Sequence, residues 1–593
     1  MRKIALLLAM TLPAALGRAA SVMNSKHDLS YDSATPGPRA VSEKDTCVFC
    51  HSVHQPSRVE SLWGRKDSQE TFTFYASNYL NNYLGMAQPT MADLQGSRSK
   101  LCLSCHDGVT ALGSVYNLAQ PIVVQGALAA SSVIGTDLSN DHPVLYDVRP
   151  GAGPPAQPGT NPEIVLPPAG DKVKVYGDSK RVECTSCHDP HDDQNGSFLV
   201  KPNSGAALCL TCHQKTGWSA SAHATSNRAY TPPGAAATTV AEWSCRSCHK
   251  AHGANAAQAY ILRGAEEATC YACHGTPALT GAKDVKSAYQ KAYKHPVEAK
   301  SGVHKNPETD ASNLGAATRH AECWDCHNPH QAKVGTHAPG SAAVGAVLLG
   351  QWGVEPSYGG TAFSRPNAYA RQVFTNTTSF KEHQLCLKCH SSYAFGDTPP
   401  TGLTDQGLEF NPANPSFHNV GVAGAASKAR TAPPKTTSYV SPWGYQSVMT
   451  CSECHASNAD ADPRGPHGST NARILRGLWT ANTGRSGNVT GHLCFKCHQA
   501  NVYGSGAAES NTDATAFSAS SGSKNLHSVH AGKGYGCMDC HAKVPHGAAR
   551  ARLIVYRTDP VAYRGGSPTR GINSWTPNPR SYQESSCSTA GCH

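Results

Sequence analysis

Apolar positions along the 593-residue chain gather into a single long run and otherwise scatter. That run, Ile4 to Leu16, follows Arg2 and Lys3 and gives way to small residues around Gly17 and Ala19. A short apolar stretch behind a basic start predicts a secretory signal peptide over residues 1–19, too short for a stable membrane span. No cysteine near the cleavage site offers a lipid anchor, and no later segment approaches 18 apolar residues. Helical periodicity is scarce beyond this point. Val285 to Tyr293 is one short helix candidate, and strand alternation is rarer. Segments such as RPGAGPPAQPG, Arg149 to Gly159, predict extended or turning coil. The expected mature protein is exported and water-soluble, mostly irregular coil with short helices and little sheet. Such a polypeptide alone is a candidate for disorder.

The cysteines change that picture. Of 24, 22 fall into eleven C-x-x-C-H strings. The first six are Cys47, Cys50, His51; Cys102, Cys105, His106; Cys184, Cys187, His188; Cys209, Cys212, His213; Cys245, Cys248, His249; and Cys270, Cys273, His274. Then follow Cys323, Cys326, His327; Cys386, Cys389, His390; Cys451, Cys454, His455; Cys494, Cys497, His498; and Cys537, Cys540, His541. The remaining two, Cys587 and Cys592, are also followed by a histidine, His593, in a C-x4-C-H string. C-x-x-C-H is the attachment signature of c-type haem: two thiols add to the vinyl groups, and the histidine becomes the proximal iron ligand. Disulfides need no histidine after each pair, and zinc sites need two such pairs converging. Ser588, Thr589, Ala590 and Gly591 are small enough to bulge, so the terminal string is read as a twelfth site. It resembles the C-x4-C-H sites of small tetrahaem cytochromes of sulfate reducers.

Twelve haems would also change the charge. The formal +10 invites a nucleic-acid reading, but two propionates and one net positive charge per oxidised haem bring the total to roughly −2. Nucleic acid drops out as a partner. The chain spends about 49 residues per haem, and its charged fraction is only 16% beside 54 Gly and 39 Pro, against about 25% charged in ordinary domains. The haems are therefore expected to form the core, with coil and short helices wrapped around a stacked haem chain.

The motifs repeat as doublets. One member has a second histidine soon after it: His54, His191, His252 and His330 at close spacing, His467 and His546 at wider spacing. The other member lacks it. Before each doublet stands a leading histidine: His27, His142, His223, His295, His418 and His527. These twelve are the candidate sixth ligands; His304 competes with His295, and His530 with His527. His320, His337, His383 and His492 are read as surface or propionate-bonding residues. The doublets divide the chain into a signal peptide (1–19) and six dihaem modules, 20–140, 141–222, 223–294, 295–417, 418–526 and 527–593. A close histidine cannot round its own porphyrin within three residues and is expected to ligate the next haem. Each leading histidine is expected to close the doublet before it. His27 and the Cys587–Cys592 haem are then left unmatched, which suits a head-to-tail contact between chains; the alternative is that His27 folds back onto its own first doublet, giving a monomer.

From about His27 to His593 the chain resembles multihaem c-type cytochromes with doubled CxxCH motifs, found in metal-respiring and related bacteria. The resemblance implies bis-histidine haem c, twelve in number here, and transport of respiratory electrons in the periplasm or beyond the outer membrane. The implied partners are other cytochromes, the chain itself as a head-to-tail polymer, and extracellular acceptors such as metal oxides, with no nucleic acid and no membrane span. With two histidines per iron no catalytic residue is assigned, and the methionines Met23, Met86, Met91, Met449 and Met538 offer little toward high-potential ligation. The alternative is a multihaem reductase acting on nitrite, hydroxylamine or a sulfur oxyanion. Such enzymes keep a five-coordinate iron, some through lysine as proximal ligand, and no C-x-x-C-K occurs here.

Overall fold

The computed structural model describes residues 21–58, 61–77, 80–81, 86–148, 163–254, 259–298, 321–421, 434–485, 487–504, 506, 517, 524–565 and 571–574. The signal-peptide segment lies outside these residues. So do Cys587, Cys592, His593, His304 and His320. The chain divides into two compact units, Met1–Gln214 with His249–Ile261, and Lys215–Cys248 with Leu262–His593. Both are mostly coil with short helices and small strand pairs, as the scarce periodicity predicts. No helix among the described residues is long and apolar enough to cross a membrane.

The helices follow the attachment motifs. Second-member motifs close the helices Ser99–His106, Glu266–His274 and Glu382–His390. At eight or nine residues these are marginal in isolation and depend on packing, as at Leu103, Leu385 and Leu387, all buried. First-member motifs form a single turn, as at Cys184–Cys187 and Cys323–Cys326. Each turn is pinned at its start: the Glu183 N–H donates to Ser186 Oγ at 2.9 Å and the Glu322 N–H to Asp325 Oδ2 at 2.7 Å. One turn suffices, because residues three apart share a helix face and so present both thiols together.

The candidate helix Val285 to Tyr293 is shorter than its periodicity suggests. It runs Lys286–Tyr289, after which Tyr293–Lys294 leaves to pair with Gly468–Ser469. Among the described residues all six sheets are two-stranded. Five use two-residue strands; the sixth pairs Trp352–Ser357 with Ala368–Val373. The helix Glu382–His390 lies so close to this hairpin that a Cβ at Gly353 would stand 2.3 Å from the Gln384 carbonyl oxygen, so only glycine fits.

Apolar burial is split into small clusters. In the first unit Phe72, Phe74, Leu94, Leu103, Leu138 and Leu145 form one, and Leu29, Ala40 and Phe49 another. In the second, Val344, Leu348, Phe374 and Leu385 form a third. Each cluster lies beside an attachment motif rather than at the centre of a conventional domain.

Candidate functional site

Each motif is a closed turn. The histidine N–H donates to the first cysteine's carbonyl, at 2.9 Å in His51, His213, His327, His455, His498 and His541 and 3.0 Å in His188. In first members the chain then loops out and returns, so that the second cysteine's carbonyl accepts from Gly64 (2.8 Å), Val200 (3.0 Å), Arg263 (2.9 Å), Arg476 (2.9 Å) or Val555 (3.1 Å). The same return delivers a carbonyl to the motif imidazole. The Nδ1–H groups of His51, His188, His249, His455 and His541 donate to Ser61, Ser197, Tyr260, Arg473 and Arg552 at 2.8–2.9 Å. The residues after those carbonyls, Leu62, Phe198, Ile261, Ile474 and Leu553, all have φ between +49° and +57°. A left-handed bulky residue costs about 1–3 kcal/mol and persists only where its surroundings hold it. Here five recur at one place. Their role is to aim a carbonyl that fixes Nδ1 as the protonated nitrogen and leaves Nε2 its lone pair.

The imidazoles face one another in pairs. In the first unit ring centres are 6.1 Å apart for His27–His106, 6.0 Å for His51–His191, 6.0 Å for His142–His213 and 6.1 Å for His188–His252. In the second they are 6.4 Å for His223–His274, 6.2 Å for His295–His390, 6.2 Å for His327–His467, 5.9 Å for His455–His546 and 6.5 Å for His527–His541. Two imidazoles on opposite sides of one metal ion, each about 2.1 Å from it with about 1.1 Å more to the ring centre, would stand about 6.4 Å apart. The pairs fit a bis-histidine iron. Burial first, and then neighbouring histidines, push His467, His498 and His527 down to about 3 and His455 to about 4. These rings are therefore neutral at pH 7, as metal ligands must be. His498 has His418 as the first of those neighbours.

Who faces whom departs from the expected order. A leading histidine faces the second motif of the doublet it introduces, as His142 faces His213, and does not close the doublet before; the exception among the described residues is His527, which faces His541, the first motif of its own doublet. A close histidine faces the first motif of the preceding doublet, as His191 faces His51, and does not reach the next haem. The physical reason is a long-range backbone pairing. Nδ1–H of His27, His223, His295 and His418 donates to the carbonyls of Pro190, Pro329, Pro466 and Pro545 at 3.1, 2.9, 2.8 and 2.5 Å. Those prolines immediately precede the close histidines of the next doublet. Backbone bonds reinforce the match, from His142 to Ala251 (2.7 Å) and from His418 to His546 (2.8 Å). Both distal histidines of a doublet thus arrive side by side. His27 lies against its own first doublet, the fold-back alternative.

The remaining histidines separate cleanly. His337 is hydrogen-bonded to Glu453, His383 is buried 3.6 Å from Glu355 Oε2, and His492 is buried against Thr483 Oγ1 at 2.8 Å. His530 donates from Nδ1 to Leu526 O at 2.6 Å. His54 is exposed; its carbonyl accepts from Ser52 Oγ (2.5 Å) and Asn117 Nδ2 (3.1 Å).

The cysteines set the spacing of the sites. None of the twenty-two described cysteines is in a disulfide. Within doublets the second cysteines are neighbours. Burial and then the charge of Cys105 push Cys50 up to about 12, and burial and then both thiols of the next motif, Cys209 ahead of Cys212, do the same to Cys187. Cys248 beside Cys273 rises to about 11 and Cys454 beside Cys497 to about 12, again through burial first. Between doublets the first cysteines touch. Cys102 donates to Cys184, Cys270 to Cys323, Cys386 to Cys451 and Cys494 to Cys537; the bond raises each donor thiol and favours the thiolate at Cys184, Cys323 and Cys537. The sites therefore stand in single file, in sequence order, in each unit. Glu266 also lies with Cys270 and Cys323 in a cluster of metal-ligand spacing, but both of its thiols belong to attachment motifs.

Sequence reasoning missed the carbonyl acceptors. The repeated strings YILRG at Tyr260–Gly264 and RILRG at Arg473–Gly477, and the proline before four of the close histidines, were the available signal. Residues 178–217 and 238–278 match the family model described as the doubled CXXCH motif. The match supports a multihaem c-type cytochrome that binds haem c covalently and transfers electrons. No curated protein matches the chain.

Proposed function

We propose that the chain is a dodecahaem conduit that carries electrons over long distances outside the inner membrane, at the cell surface or beyond, and assembles head to tail as a wire. The observation that carries this reading is the single file of attachment motifs, alternating between second-cysteine and first-cysteine neighbours. Haem, when bound, supplies an iron that gains and loses one electron. The polypeptide does the rest. Each thiol pair would hold one haem covalently beside the next, and each facing imidazole pair would ligate its iron and so keep substrate from it. The twelfth haem of this reading, at Cys587, Cys592 and His593, rests on the sequence pattern, since those residues lie outside the described ones. Fitting acceptors are extended redox surfaces such as metal oxides, or other cytochromes.

Intact mass and a pyridine haemochrome assay on the exported protein test this reading. Twelve haems, wholly low-spin when oxidised and inert to nitrite and hydroxylamine, are expected. Eleven, with Cys587 and Cys592 unmodified or disulfide-linked, would remove the terminal site. A substoichiometric high-spin iron responsive to nitrite would replace the conduit with a reductase.

A further inference from the structure

Arg65 is the largest fully buried side chain among the described residues, with 0% exposure, and it makes no ion pair there. Its guanidinium joins the two motifs of the first doublet. Nε donates to Ser104 Oγ (3.1 Å), Nη1 to the carbonyls of Phe49 (3.2 Å) and Leu112 (2.5 Å), and Nη2 to those of Ser104 (2.8 Å) and Ala111 (3.0 Å). Phe49 stands between Cys47 and Cys50, and Ser104 between Cys102 and Cys105. A guanidinium has five N–H donors, and all five are engaged by neutral oxygens. None is left to bind a haem propionate.

The second doublet provides the comparison. Gly64 N–H donates to Cys50 O and Val200 N–H to Cys187 O, so the residues that follow them, Arg65 and Lys201, hold equivalent positions. Lys201 is neutralised: its Nζ lies 2.9 Å from Asp171 Oδ2 and 3.0 Å from Thr211 Oγ1.

We propose that Arg65 is a redox-tuning charge that raises the reduction potentials of the first doublet's two haems above those of the second. The inference rests on the haem reading above. Reduction adds one electron to each iron and makes or breaks no bond, so a fixed positive charge nearby stabilises the reduced state. The effect is large where water is excluded and the effective dielectric is low. The equivalent charge at Lys201 is cancelled locally by Asp171. Electrons on the file would then settle preferentially on the first doublet.

The test compares R65Q, R65K and D171N in the full-length, haem-loaded protein by spectroelectrochemical titration, after haem content and spin state have been measured. R65Q should move two haems' worth of absorbance to lower potential. R65K should keep the wild-type curve, and D171N should move two haems' worth to higher potential. An R65Q curve that superimposes on wild type at full haem content overturns the proposal. If R65Q does not accumulate as holoprotein, an unshifted D171N curve overturns it instead. Wild-type protein without haem would defeat the underlying reading, a result already visible before any titration.

Discussion

The Nδ1–H of His27 donates to the carbonyl of Pro190 at 3.1 Å, joining positions 163 residues apart. The bond holds His27 against His106 while the next residue after the proline, His191, faces His51. One contact therefore serves both motifs of a doublet, and its counterparts at His223, His295 and His418 repeat it. Chain segments far apart in sequence meet to complete each doublet, which makes the order of facing histidines testable.

His142 faces His213, so H142A should make one iron high-spin, the one held by Cys209 and Cys212. Deleting that haem with C209A/C212A should abolish the high-spin signal of H142A, and deleting its neighbour with C102A/C105A should leave it. Electron paramagnetic resonance of the oxidised variants reads the difference. The reverse result would restore the order in which a leading histidine closes the doublet before it.

His383 and His492 should behave oppositely. Both are buried, His383 near Glu355 and His492 against Thr483, and neither faces a motif histidine among the described residues. H383A and H492A should keep every haem low-spin while losing about 1–3 kcal/mol of stability through a buried partner left unsatisfied. A new high-spin signal in either variant would place that residue among the ligands.

Arg473 is exposed, holds φ +61°, and offers its carbonyl to His455 at 2.9 Å. Glycine adopts that conformation without the steric penalty of a side chain, so R473G should stabilise the holoprotein by about 0.5–1 kcal/mol. Denaturant unfolding followed at a haem band measures it. Destabilisation would mean that the arginine side chain does more than occupy a strained turn.

How much of this was legible beforehand depended on the range of the interaction. The attachment motifs are local, and Cys184–Cys187 or Ser99–His106 take the turn or helix their spacing favours. His337, His383 and His492, expected at the surface or on propionates, instead find protein partners of their own, and the last two are buried. The order of pairing did not follow from spacing. His295 meets Pro466, 171 residues away, through a two-residue strand at Tyr293–Lys294 too short to leave any periodicity. The left-handed turns at Ile261 and Ile474 were hidden for another reason. Isoleucine is a residue that propensity places in strands, and only the recurrence of ILRG hinted that the backbone was constrained there.

His54 holds the close position of the first doublet, yet it is exposed, and it faces no motif histidine among the described residues. Its counterparts His191, His252, His467 and His546 each face the first motif of the preceding doublet. His541, the first motif of the last doublet, already faces His527, so the proposed wire has a specific junction in which His54 of one chain completes the haem of Cys587, Cys592 and His593 in a second copy. Such a contact joins unlike surfaces and repeats as an open filament unless its rotation closes a ring. His27 cannot supply the junction while it lies against His106 at 6.1 Å. Alanine at the two positions should therefore give different phenotypes. H54A should abolish filaments in electron micrographs and leave one high-spin haem per chain. H27A should also show one high-spin haem, but with filaments intact. Wild-type protein that remains monomeric with every haem low-spin, or H54A protein that still polymerises, would eliminate His54 as the junction.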